Sequence, residues 1–317
     1  MTNAASKSGG TSGRSGFDLA DLRTASATDV GRVRSVNQDA YGEFEDAEQH
    51  RQLLFVADGM GGHRGGEVAS RLAVEAVGET FGEREDPPER LLDAAFQAAN
   101  ARIFATSMDD MELAGMGTTG VGILLTGEAQ GWVAHVGDSR AYRMRGGVLE
   151  QLTGDHSVVG ELMQRGQLTA EEARVHPQAN EILRALGTQD GVEVEIKHVD
   201  VAPGDRFMLC SDGLSGMLPE ARIAEVLGTA DPEAAVLQLV DRANEAGGTD
   251  NITVQIALVP DAPFAGATDS ATHTTSPTTE NVPGEKAAAE GSMIRWAVTL
   301  MLLAAVLWLL ISGGGDG

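Results

Sequence analysis

One cysteine occurs in 317 residues, so no internal disulfide is available to the fold. That residue, Cys210, closes the run Phe207-Met208-Leu209 and reads as part of a buried strand. Aromatic residues make up only 4% of the chain, which leaves the core to aliphatic side chains. Lysine is also scarce: Lys7, Lys197 and Lys286 are the three present, and the other basic residues are arginine. Against 23 basic residues stand 47 acidic ones, a formal net charge of -24. A chain this poor in cations is unsuited to gripping a nucleic-acid backbone or to an electrostatic contact with an anionic membrane surface. The acidity reads as a solvated surface, or as adaptation to a salty cytoplasm in which counterions screen the self-repulsion. Neither H-E-x-x-H nor C-x-x-C occurs, which disfavours zinc, and there is no C-x5-R nucleophile and no Walker phosphate loop.

What is present falls into five stretches. Residues 1–22 are rich in Ser, Gly, Thr and Ala without an apolar run, and read as a flexible lead, not a signal peptide. Residues 23–260 carry a globular pattern. Residues 261–292 turn to Thr, Ser, Pro and Ala and read as a linker. Residues 293–311, M-I-R-W-A-V-T-L-M-L-L-A-A-V-L-W-L-L-I, would span about 28 Å as a helix and have no polar face, the pattern of one transmembrane helix. Trp296 and Trp308 lie near its ends. The expectation is a single-pass protein of the cytoplasmic membrane, with its globular domain in the cytoplasm and residues 312–317 outside. Extracytoplasmic sensing does not fit so short a tail, and a monomer is expected.

Within the globular part, Val68, Leu72, Ala76 and Val77 recur at helical spacing. So do Leu91, Leu92, Ala95, Phe96 and Ala99 after Pro87-Pro88, and Ala235, Val236, Leu239, Val240 and Ala243 after Asp231-Pro232. Alternation predicts strands at Val192-Val194-Ile196 and at Ile252-Val254-Ile256-Leu258. Short apolar runs at residues 53–57, 120–125 and 132–136 read as buried strands. Strands grouped with a few long helices, without strict alternation, give an α+β layered fold, a sheet sandwich covered by helices.

The chemistry lies in aspartates set in glycine. Asp58 ends the run Leu53-Leu54-Phe55-Val56-Ala57 and precedes Gly59, Gly61 and Gly62, which let backbone approach a ligand. Asp138 and Asp212 follow apolar runs in the same way, and Asp250 precedes one. Asp212 and Asp250 alone each read equally as turn residues. Together, at the ends of neighbouring strands, they are oxygen donors for hard cations, and their convergence would make a binuclear Mg or Mn site. Arg140 reads as the structural partner of Asp138. Arg34, with Asp39 nearby, reads either as a surface ion pair or as a bidentate phosphate ligand. His63 reads either as a surface or capping residue or as a proton donor to a leaving oxygen. His156 and His176 read as structural.

The ordered segments G-R-V-R-S-V-N-Q-D, V-A-D-G-M-G-G-H-R-G-G-E, G-M-G-T-T-G, V-G-D-S-R-A-Y-R, L-T-G-D-H-S, H-P-Q-A-N-E-I-L-R-A-L-G, C-S-D-G-L and G-G-T-D-N-I-T resemble the metal-dependent protein phosphatases, the type 2C serine/threonine family, in its bacterial form. The resemblance runs from about Thr24 to Val259. It implies a four-layer αββα fold, a central sandwich of two antiparallel sheets flanked by helices on both sides, with a metal cleft at one end. It implies two Mn2+ or Mg2+ ions, with a third more weakly held, sharing a water that attacks phosphorus in line without a phosphoenzyme. By position, Asp58 would bridge both metals and the Gly59 carbonyl would bind one. Asp212 and Asp250 would hold the other, and Asp138 would serve the third. Arg34 would bind phosphate, Asp39 would be an outer carboxylate, and Asn251 a supporting group. The substrates implied are phosphoserine and phosphothreonine in phosphorylated proteins, a Ser/Thr kinase among them, so that the enzyme opposes cytoplasmic kinase signalling. A non-catalytic phosphatase-like binding module is the other reading. Where the family commonly has glutamate before the outer aspartate, this chain has Gln38, which loses a charge and predicts weaker affinity for the second metal. His63 lies four residues after Gly59, whereas other branches place their histidine directly after Asp-Gly. Residues 158–180 match the flap beside the cleft and have a polar, mobile look.

Overall fold

The computed structural model describes residues 16–261. The expected transmembrane helix, linker and tail, and most of the N-terminal lead, lie outside the described residues. Among the described residues, no helix is long and apolar enough to cross a membrane.

The chain opens with β1 (Arg23–Asp29), β2 (Asp39–Asp46) and β3 (Arg51–Met60), then the long helices α1 (Gly62–Glu83) and α2 (Pro88–Asp109). There follow β4 (Gly117–Thr118), β5 (Gly120–Thr126), β6 (Gln130–Val136), β7 (Arg140–Arg145) and β8 (Val148–Gln151). Two short helices, α3 (Val158–Gln164) and α4 (Ala170–Arg174), lead to β9 (Glu195–Asp200) and β10 (Arg206–Cys210). The helices α5 (Asp212–Ser215), α6 (Glu220–Thr229) and α7 (Pro232–Glu245) and the strand β11 (Ile252–Leu258) complete the order. One sheet runs β1-β11-β10-β7-β8, the other β2-β3-β5-β6-β9, with β4 paired to the end of β3, and the pairings are antiparallel.

The continuous apolar runs follow from sheets covered on both faces. In β3, Leu53, Phe55 and Ala57 point to a core shared with α1 and α2, while Leu54 and Val56 point to a core between the sheets. In β10, Phe207 and Leu209 face the sandwich interior, whereas Met208 and Cys210 face α5, α6 and α7. Three cores between four layers make the expected αββα arrangement. The helices begin where the sequence predicts: proline opens α2 and α7, and the Asp231 carboxylate accepts from Ala234 N at 3.1 Å.

Some boundaries differ from expectation. Asp58 does not end its strand, because β3 continues through Met60 by pairing Gly59 with Thr118 and Met60 with Gly117. Asp212 is not in a loop but is the first residue of α5. Val192 and Val194 precede β9 and pack against the α1–α2 core as irregular chain, so their alternation came from burial without strand pairing. The flap segment holds two capped helices: Ser157 Oγ accepts from Gly160 N at 3.1 Å, and Thr169 and Glu172 form a reciprocal capping box before α4.

Candidate metal and phosphate site

Antiparallel pairing brings the scattered aspartates to one end of the sandwich. Asp39 at the start of β2 is the direct cross-strand partner of Asp58 near the end of β3. Cys210, two residues before Asp212, pairs with both Arg140 and Val254, which places the Asp138 turn, the start of α5 and the entry to β11 side by side. The resulting cleft, about 520 Å³, is lined by Asp58, Gly59, Asp212, Asp250, Arg34 and Gln38, with Val33 and Ile182 at its rim.

The strands hold these groups by dense local bonding. Thr118 Oγ1 donates to the Asp58 carbonyl at 2.8 Å, and Asp58 N donates to Thr119 Oγ1 at 3.0 Å. Gly59 lies so close to α1 that a Cβ there would meet the Gly66 carbonyl oxygen at 2.0 Å, which no side chain tolerates. Asp39 Oδ2 accepts from the hydroxyls of Ser211 and Thr253, each at 2.7 Å. Asn251 lies beside Asp250 at the entry to β11. It accepts from Gln38 N at 2.7 Å and donates to the carbonyls of Val30 and Val36, fixing the loop that carries Arg34.

The electrostatics of the cluster favour a proton or a cation among its carboxylates. The Oδ1 atoms of Asp39, Asp138 and Asp212 are buried without a hydrogen-bond partner among the described residues. Asp58 and Asp212 lie close enough to perturb each other's ionisation, and two neighbouring buried carboxylates favour a proton or a cation between them. Burial, then the charges of Asp39, Asp212 and Asp138, push Asp58 well above the ordinary carboxylate range. Burial, then Asp212 and Asp155, raise Asp138 to about 8. Burial raises Asp39 to about 7 against the opposing bonds from Thr253 and Ser211. Asp212 is raised by burial and then by Asp250. Crowded, desolvated carboxylates with orphaned oxygens fit hard divalent ions such as Mn2+ and Mg2+.

Arg34 reaches this cluster: its Nη2 donates to Asp250 Oδ2 at 2.7 Å, so its ion pair belongs to the cleft. Gln38 donates its Nε2–H to the Gly62 carbonyl at 2.8 Å, tying the Arg34 loop to the start of α1. Arg140 is not the partner of Asp138. It makes a bidentate bridge to Asp155 at 2.9 and 2.6 Å, because β7 turns its side chain toward the turn after β8. The backbone of His63 lies in the first turn of α1, and its side chain lies outside the described residues.

Sequence reasoning missed the scaffold around Asp138. Thr119 and Ser139 share a hydroxyl–hydroxyl bond of 2.8 Å, and His135, His156 and Glu195 bring ring nitrogens and a carboxylate oxygen within 4.8 Å of one another. The signal available was the histidine before V-G-D and the one in G-D-H-S.

Residues 31–246 match the family model described as protein phosphatase 2C. The serine/threonine phosphatase stp of Listeria monocytogenes serotype 4b is 42% identical over 235 residues, covering 72% of this chain and 92% of that protein. The serine/threonine protein phosphatase PstP of Mycobacterium tuberculosis is 41% identical over 243 residues, 76% of this chain and 45% of PstP. Among solved structures, the M. tuberculosis serine/threonine phosphatase PstP/Ppp superposes with a TM-score of 0.68 at 39% identity, covering 75% of this chain and 99% of that one. The catalytic domain of PstP in complex with two manganese ions superposes with a TM-score of 0.67 at 38% identity, covering 75% and 98%. The fold, the gathered aspartates and these likenesses lead to one conclusion: the chain belongs to the protein phosphatase 2C family.

Proposed function

We infer that the chain is a metal-dependent protein serine/threonine phosphatase. The observation that carries this is the convergence of Asp58, Asp212 and Asp250 beside Arg34 in one cleft, with the buried Asp138 close enough to raise Asp58 by its charge. We assign Asp58, the Gly59 carbonyl, Asp212 and Asp250 to hold two Mn2+ or Mg2+ ions, and Asp138 to a weaker third. When bound, these ions supply positive charge and a water nucleophile of lowered pKa.

The chain's own groups prepare the site. Arg34 donates Nη2 to Asp250 at the edge of the cluster, and we assign its remaining N–H groups to donate to the phosphoryl oxygens and orient them. Asp39, held by Ser211 and Thr253, keeps its Oδ1 buried without a partner, and we assign that oxygen to order water beside the ions. Thr118 and Thr119 fix the backbone of Asp58, so its carboxylate does not drift as charge develops. Protonation of the leaving serine or threonine oxygen is assigned to His63.

The substrates are phosphoserine and phosphothreonine proteins, a Ser/Thr kinase among them, so the enzyme opposes cytoplasmic kinase signalling. Residues 293–311 anchor it in the cytoplasmic membrane. The support for the anchor is the apolar run with tryptophan near both ends. The decisive assay is hydrolysis of an aryl phosphate and a phosphothreonine peptide by the full chain with and without Mn2+. Activity that requires the metal and vanishes in Asp212→Ala is expected, and folded protein with no metal-dependent activity would leave a binding module as the reading. For the anchor, deletion of residues 293–311 should move the protein from the membrane to the soluble fraction. An unchanged distribution refutes it.

A further inference from the structure

Asp138 stands in the turn of residues 137–139, between β6 and β7. One side of that turn is tied to the metal cluster, since Ser139 Oγ bonds Thr119 Oγ1, which accepts from Asp58 N. The other side is held by His156 through a reciprocal pair of bonds. His156 N donates to the Gly137 carbonyl at 2.9 Å, and Gly137 N donates to His156 Nδ1 at 3.2 Å. Gly137 has φ +105°, and a Cβ there would meet Thr119 Cγ2 at 2.7 Å, so the turn is wedged between Thr119 and His156.

His156 also reaches the base of the flap. Its carbonyl accepts from Leu183 N at 2.8 Å, and the next residue, Ser157, bridges to Ile182, which lines the cleft. Its ring stacks on His135 with centroids 4.5 Å apart, and its Nε2 lies 3.4 Å from Glu195 Oε2. His135 Nε2 lies 2.8 Å from the Gly154 carbonyl. Two imidazoles and a carboxylate are a zinc-type donor set, but the bonds oppose that use. The Gly137 N–H occupies the Nδ1 lone pair of His156, so the ring proton sits on Nε2 and points to Glu195. A metal on Nε2 would force a second proton against Gly137 N–H. Burial lowers the pKa of both rings, which keeps Nδ1 of His156 an acceptor.

We propose that His156 is a positioning residue: its Nδ1 and main chain hold the Asp138 turn in the geometry that binds the auxiliary cation and couple that turn to the base of the flap. This rests on the reading of Asp138 as a cation ligand. His156 touches neither substrate nor metal in this role.

The test uses the full chain and three variants at position 156. In His156→Asn the side-chain oxygen can stand where Nδ1 stands. In His156→Gln the acceptor is displaced to the Nε2 position, and His156→Leu has none. The readouts are the Mn2+ concentration for half-maximal hydrolysis of an aryl phosphate, KM for a phosphothreonine peptide, and the thermal midpoint. We expect Leu and Gln to raise the Mn2+ requirement by about tenfold, with peptide KM rising more than aryl-phosphate KM, and Asn to restore both. A wild-type Mn2+ titration in Gln and Leu, or equal impairment in all three, would overturn the proposal. If Leu does not fold, the comparison of Asn with Gln decides it. Asp138→Asn separates the two layers. An unchanged Mn2+ titration there removes the reading of Asp138 itself, whereas a shift there without one in the 156 variants removes only the positioning role. Stoichiometric Zn2+ binding that survives Asp212→Asn and disappears in His135→Gln would overturn it in favour of a metal cage.

Discussion

At the scale of single residues, the aspartates of the cleft carry an electrostatic cost that a cation offsets. In the metal-free protein Asp39 titrates at about 7 and Asp138 at about 8, while the unfolded chain releases these protons near pH 4. Between about pH 4 and 8 the folded state therefore binds more protons than the unfolded state, and stability falls as pH rises. Thermal melts of chelator-treated protein should show a midpoint that climbs as pH is lowered from 8.5 to 6. Saturating Mn2+ should flatten that dependence. A chelated protein whose midpoint is level across this range would contradict the crowded-carboxylate description. Gln38 allows a second test. Its amide donates to the Gly62 carbonyl and brings no charge to the cleft. Gln38→Glu should lower the Mn2+ concentration needed for half-maximal activity, and an unchanged titration would refute the expectation that Gln38 weakens the second metal's binding. Asp58, Asp138, Asp212 and Asp250 were legible in the sequence because each lies next to an apolar run with glycine close by. Thr119, Ser139 and His156 were not, because their role exists only after cross-strand register brings three turns together.

At the scale of elements, periodicity located α1, α2 and α7 because one face of each meets a sheet. It failed at Val192 and Val194, where burial against α2 mimics strand alternation without a pairing partner. It also missed the helices of the flap, whose order comes from caps and not from an apolar stripe. Arg174 at the end of α4 then pins the flap to the body, its guanidinium donating to the Leu218 carbonyl at 3.0 Å and the Gly216 carbonyl at 3.4 Å. Removing those donors frees one edge of the flap but leaves the aspartates untouched. Arg174→Ala should therefore shift preference among phosphopeptides by severalfold in KM while kcat on a small aryl phosphate stays near wild type. A parallel loss on both substrates would mean that the flap is part of the reaction centre.

At the scale of the whole molecule, the architecture joins a strongly anionic body to a site that handles phosphate. The two sheets deliver their aspartates to one end, whereas the chain leaves β11 at the opposite end, where Pro260 accepts from Gly204 N in the turn before β10. The net charge of -24 surrounds the cleft with a repulsive field for anions. Cations held by the aspartates would, together with Arg34, reverse that field locally at the cleft. At longer range the flanking residues of a substrate meet the acidic surface. Phosphopeptides with basic flanks should therefore be preferred over acidic ones of the same phosphosite, chiefly through kcat/KM. The Debye length shrinks from about 30 Å at 0.01 M ionic strength to about 8 Å at 0.15 M. The ratio of kcat/KM for basic over acidic flanks should fall steeply across that range, at constant Mn2+. A ratio independent of salt would show that flank preference comes from contacts at the cleft rim, such as Val33 and Ile182, and not from the field of the molecule.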